Sequence, residues 1–154
     1  MPGLEGLAFA IVTSFLVVLM HYESLRVISV VSEQAPLTPR LKMLTVIIGV
    51  LAAHMIEAGV YAIAFWLGAE VFKFGHFVGH VPGDPFQYYY FALETYTTQS
   101  VGDLYPVSGL RVLASLEPLV GLILIGWSTS LTFVLMRRYW RVAPSRQAAN
   151  RSRT

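Results

Sequence analysis

Three apolar stretches, at roughly residues 7–31, 43–67 and 110–136, set the limits on what this chain can become. Each is long enough to cross a hydrocarbon core that needs about 20 apolar residues per helix. A backbone in lipid has no water to bond, so such stretches must be helical. The expectation is an all-α membrane protein. Composition agrees, since 55% of the 154 residues are hydrophobic, only 13% are charged, and the charges fall in bands between the stretches. One membrane domain, residues 1–136, precedes a basic tail at residues 137–154. The first stretch has no base before it and no small-residue cleavage site after it, so it reads as a retained outer helix rather than a removed leader. With no cysteine in the chain, disulfides and thiolate metal sites are excluded.

Between the second and third stretches lies a shorter hydrophobic segment, about residues 85–100, too short to span. Asp84 followed by Pro85 is a good helix start, and Phe86, Tyr88, Tyr89, Tyr90 and Phe91 supply an aromatic face. A polar run follows, ETYTTQSVGDLYPV, from Glu94 to Val107. Non-helical backbone at membrane depth survives only where protein buries it or water reaches it. A short helix running into this loop therefore implies a water-filled cavity, and the negative end of the helix favours a cation there.

The loop resembles that of bacterial potassium channels with two helices around a re-entrant pore loop, where the stretch reads ETATTVGYGDLYPV. Glu94, Thr95, Thr97, Thr98, Gly102, Asp103, Leu104, Tyr105, Pro106 and Val107 match it without a gap. The departures fall on the filter, where Gln99, Ser100 and Val101 stand in place of Val-Gly-Tyr. The resemblance implies a potassium-channel-like fold with a pore helix and filter loop at about residues 85–103 and an inner helix at about 110–136. A homotetramer is implied with it, because one loop supplies a quarter of a filter. It implies no catalytic residues and no cofactor beyond a permeant monovalent cation, K+ or Na+. The selectivity filter is assigned to Thr98, Gln99, Ser100, Val101 and Gly102. Ser100 replaces a glycine whose backbone freedom the filter uses, and Val101 is shorter than the tyrosine it replaces. A wider, weakly selective path and a collapsed, closed one are both open at this point. Glu94 and Asp103 correspond to the carboxylates that brace the family filter. Gly121 falls at the inner-helix hinge, with Pro118 beside it as a second reason for a bend.

Ionisable residues inside the apolar stretches stand out: His21 and Glu23 in the first, His54 and Glu57 in the second, Glu117 in the third. Such groups are costly at this depth and face one another or water. His54 and Glu57, three apart, share a helix face. Interhelical hydrogen bonds, a protonation switch and a divalent-metal site are three readings left open. His76 and His80, in the loop before Asp84, are weak metal candidates, as Gly75 and Gly79 disfavour the helix that would bring them together.

Arginines and lysine place the tail and the turn bearing Arg40 and Lys42 on the cytoplasmic side, with the N-terminus outside, in a bacterial-type inner or plasma membrane. Tyr139 and Trp140 among arginines fit an interfacial anchor against membrane lipid. The rest of the tail is expected to be disordered. No nucleic-acid partner is expected, and no residue set with catalytic character is present. Two rivals remain, a non-conducting membrane module that binds a metal or partner, and a proton-coupled transporter using His54, Glu57 and Glu117.

Overall fold

The computed structural model describes residues 2–79, 86–99 and 101–140. Helix α1 (Pro2–Gln34) is followed by α2 (Pro39–Trp66), which ends in a π-turn at Leu67–Val71. Strand β1 (Phe77–Gly79), short helix α3 (Gln87–Tyr96), strand β2 (Leu104–Pro106) and α4 (Leu110–Trp140) complete the order. Three helices, α1, α2 with its π-turn and α4, are long and apolar enough to cross a membrane. The protein is thus an all-α membrane protein, and each long helix extends beyond its apolar stretch. Asp84, Pro85 and the tail beyond Trp140 lie outside the described residues.

Local sequence accounts for the breaks. Pro39 begins α2 behind an extended Thr38, where a missing N–H costs nothing. Pro118 lies inside α4, which runs through it without a break, although proline leaves one carbonyl a turn earlier without its usual donor.

Buried positions in α1, including Ala10, Val17, His21 and Leu25, and in α4, Leu113, Glu117, Gly121, Leu124 and Ser128, recur at helical spacing. They define one inward stripe on each helix. Helix α1 packs along both α2 and α4, while α3 packs against α2 and α4. Tyr61, Phe65, Ala92, Tyr96, Leu110, Leu113 and Leu124 form the main core. A smaller cluster, Met43, Val46, Leu135 and Tyr139, closes the end where α1 turns into α2 and α4 finishes. There Arg138 pairs with Glu33, Tyr139 donates to Ser32 Oγ at 3.0 Å, and Lys42 lies over the Tyr139 ring. Leu16, Ile48, Ile56, Ile63, Leu122 and Ile123 are among many large apolar side chains left exposed. In water such a surface would aggregate; in lipid it is the expected exterior.

At the opposite end β1 and β2 pair antiparallel, Phe77 against Pro106, Val78 against Tyr105 and Gly79 against Leu104. This small ladder was not anticipated from the sequence. It ties the segment after α2 to the segment just past Gly102 and Asp103. Gly79 has φ +135°, and a Cβ there would run into the Asp103 carbonyl, so both the turn and the close approach call for glycine.

Candidate pore loop and the intramembrane polar network

Helix α3 stops in a motif that uses its last free carbonyls. The Thr98 N–H donates to Thr95 O at 3.0 Å and the Gln99 N–H to Glu94 O at 2.8 Å, with Thr98 at φ +63°. This is the Schellman arrangement, which normally places glycine at the left-handed position. A β-branched residue there is strained. The Thr97 hydroxyl also turns back, donating to Leu93 O at 2.8 Å.

Burial changes abruptly along the loop. Tyr96, 1% exposed, and Leu104, 9% exposed, anchor its two ends. Between them Thr97, Thr98, Gln99, Val101, Gly102 and Asp103 are exposed within the single chain. Gly102 has φ +84° and nothing near the position of a Cβ. Ser100 lies outside the described residues. Behind the loop a pocket of about 380 Å³ is lined by Thr95, Thr98, Gly102, Ala114 and Pro118, among others. Pro118 therefore stands opposite Thr98 and Gly102, a placement its sequence position did not reveal.

Among the described residues Glu94 is half-buried, Asp103 is exposed, and no hydrogen bond joins them. Gly121 sits where α4 meets the end of α3, and a Cβ on it would strike the Tyr96 carbonyl. Close helix approach thus explains this glycine directly, and Gly126 has open space around it.

The ionisable residues of the apolar helices divide into two groups. His21 and Glu57, both wholly buried, meet at 2.8 Å between Nδ1 and Oε1. His54 Nδ1 lies 3.2 Å from Glu57 Oε2, and the Tyr96 hydroxyl donates to the same oxygen at 2.7 Å. His54 Nδ1 is also 2.8 Å from the Tyr96 oxygen. On the far side Ser128 Oγ lies 3.1 Å from His54 Nε2 and 3.2 Å from His21 Nε2. The two imidazole rings are 5.2 Å apart. One knot thereby joins α1, α2, α3 and α4, with the Glu57 carboxylate at its centre. Desolvating such a group is offset only when its oxygens are well bonded, as they are here.

Glu23 and Glu117 stand outside the knot. Glu23 is exposed and pairs with Arg26 at 3.0 Å, one turn along α1. Glu117 is fully buried, and neither of its oxygens has a hydrogen-bond partner. Tyr96 and Ser128 are essential members that the ionisable pattern did not single out. Their signal was the helical register, since Ser128 lies seven positions after Gly121 on the same buried stripe. Thr129 and Ser130 bond their own helix instead, to Ile125 O and Gly126 O.

His76 is exposed just before β1, while its carbonyl accepts the Val107 N–H at 2.9 Å. His80 lies outside the described residues. Three His and Glu ligand atoms that approach closely enough for a metal belong to His21, His54 and Glu57.

Comparison with curated proteins and with solved structures found no match. Comparison with protein families found one whose description is "Ion channel", matched over residues 49–138 from within α2 through nearly all of α4. That span holds α3, the loop after it and nearly all of α4 and exceeds half of the chain, so this protein belongs to that ion channel family.

Proposed function

We propose that the chain is one subunit of a homotetrameric channel that passes monovalent cations, K+ or Na+, down their gradient with weakened potassium selectivity. The observation that carries this reading is the exposure of Thr97, Thr98, Gln99, Val101, Gly102 and Asp103 between buried Tyr96 and Leu104. Backbone of that kind at membrane depth needs water or other copies of the chain around it. Four copies about a common axis provide both. Carbonyls and the Thr98 hydroxyl would then replace part of an ion's hydration shell.

The changed filter residues shift selectivity in this reading. Ser100 resists the backbone angles that a glycine allows, and Val101 leaves its aromatic surroundings less filled than a tyrosine would. Glu94 and Asp103 are assigned to supporting the filter across the assembled pore, and Gly121 with Pro118 to the bend of α4 that opens it. The basic residues at the α1–α2 turn and the end of α4 support a cytoplasmic C-terminus and an outward-facing loop.

Flux into liposomes containing the full chain tests the proposal, with potassium and sodium gradients compared and the oligomer counted by native mass measurement. Voltage-following flux of both ions from a tetramer is expected. A monomer or dimer without flux would replace the channel by a non-conducting member of the family, and flux tied to proton movement would replace it by a transporter.

A further inference from the structure

The geometry points to an intramembrane binding site for a divalent metal of the zinc class, formed by His21, His54 and Glu57. The site stands on the buried knot alone and is read without ion flux, so it holds or fails independently of the channel proposal.

Spacing is the first argument. In tetrahedral zinc sites, metal–ligand bonds near 2.0–2.1 Å put ligand atoms about 3.3 Å apart. The Glu57 oxygens lie 2.8 Å from His21 Nδ1 and 3.2 Å from His54 Nδ1. All three ligand atoms fall within 4.8 Å of one another. The Tyr96 oxygen lies beside two of these atoms, 2.8 Å from His54 Nδ1 and 2.7 Å from Glu57 Oε2. Two imidazoles with one carboxylate suit zinc or a similar borderline ion, whereas calcium and magnesium favour all-oxygen cages.

Hydrogen accounting is the second. A neutral imidazole has one N–H and one bare nitrogen, and a serine hydroxyl has a single hydrogen. If both rings are neutral and both Nδ1 atoms donate to Glu57, both Nε2 atoms need a donor, and among the described residues the Ser128 hydroxyl is the partner of both. One hydrogen cannot serve two acceptors, so without a metal one ring must be protonated or His54 Nδ1 must take the Tyr96 hydrogen away from Glu57. With a metal on the two Nδ1 atoms, both Nε2 atoms carry hydrogen and Ser128 Oγ accepts both. This is the orienting outer contact that metal-bound histidines typically have.

Charge is the third. Glu57 is fully buried, and among the described residues the buried polar groups include no lysine or arginine. A divalent ion offsets the Glu57 carboxylate in that core.

The site also lies across a boundary. His54, Glu57, Tyr96 and Ser128 lie within the family match, while His21 comes from α1, outside it. The metal would fasten the added helix to the pore region.

The full chain, purified with a tag that contains no histidine, is titrated with zinc and then with cobalt. A single zinc per chain, a raised melting temperature and the intense visible absorption of tetrahedral cobalt are expected. His21→Gln keeps a polar side chain but removes the ligand, and should abolish the cobalt absorption. Ser128→Ala should weaken zinc binding by about 10–100-fold. His76→Ala combined with His80→Ala should bind zinc as the parent does. No zinc bound by the folded parent, a six-coordinate cobalt spectrum, or binding lost only with His76 and His80 would each overturn the site. The parent's cobalt spectrum decides the matter alone if His21→Gln does not fold.

Discussion

His21 Nδ1 and Glu57 Oε1 lie 2.8 Å apart although 36 positions separate them in the chain, and neither side chain is exposed. That contact joins α1 to α2 where both side chains are fully buried. His21→Ala leaves Glu57 short of a partner, and an unsatisfied buried group costs about 1–3 kcal/mol. Arg138→Gln, which removes the exposed partner of Glu33, should cost less than about 1 kcal/mol, as exposed ion pairs do. Thermal unfolding of both variants in detergent makes the comparison. Equal losses would show that the knot is not a principal fastening of α1.

Gly121 and Gly126 share a helix but have different surroundings. A Cβ at Gly121 meets the Tyr96 carbonyl, and one at Gly126 meets nothing within the chain. We predict that Gly121→Ala destabilises the fold by about 1–3 kcal/mol, as overpacking does, and changes cation flux. Gly126→Ala should leave stability unchanged or raise it, since alanine is the better helix former by about 1 kcal/mol. A Gly121→Ala protein as stable as the parent would remove close packing as the reason for that glycine.

Thr98 holds the left-handed position that closes α3. A non-glycine residue there costs about 1–2 kcal/mol, partly balanced by the greater chain entropy of glycine. Thr98→Gly is expected to raise unfolding stability by up to about 1 kcal/mol while altering flux through loss of the hydroxyl. Denaturant unfolding checks the first part. A clear loss of stability would mean that the side chain's contacts outweigh its strain.

Gly79 faces the Asp103 carbonyl across the β1–β2 ladder. Gly79→Val should push the strands apart and release the segment at Leu104 that anchors the filter frame. Hydrogen exchange at the Tyr105 and Val107 amides should rise, and flux should fall. Unchanged exchange in the variant would show that the ladder does not hold this end of the loop.

Much of the architecture was legible because the bilayer imposes simple rules. Helices must be long, apolar and internally bonded, so three spans and a short helix between the second and third could be read from hydropathy, and the Glu94–Val107 run gave the family resemblance. The β1–β2 ladder was not legible, because its three-residue strands carry too little alternation to stand out from a loop. Nor was the division among the ionisable residues. His21, Glu23, His54, Glu57 and Glu117 are alike in sequence as polar groups inside apolar runs, yet only three of them meet. Helix rotation decides this, since a shift of two positions turns Glu23 from the inward stripe of His21 to the exterior and to Arg26. What the sequence by itself determined is the spanning helices and the polar loop between them, because lipid leaves the backbone no other choice. Which side chains share a site was decided only by the packing of α1 against α2 and α4, because distance in space depends on how helices turn toward one another.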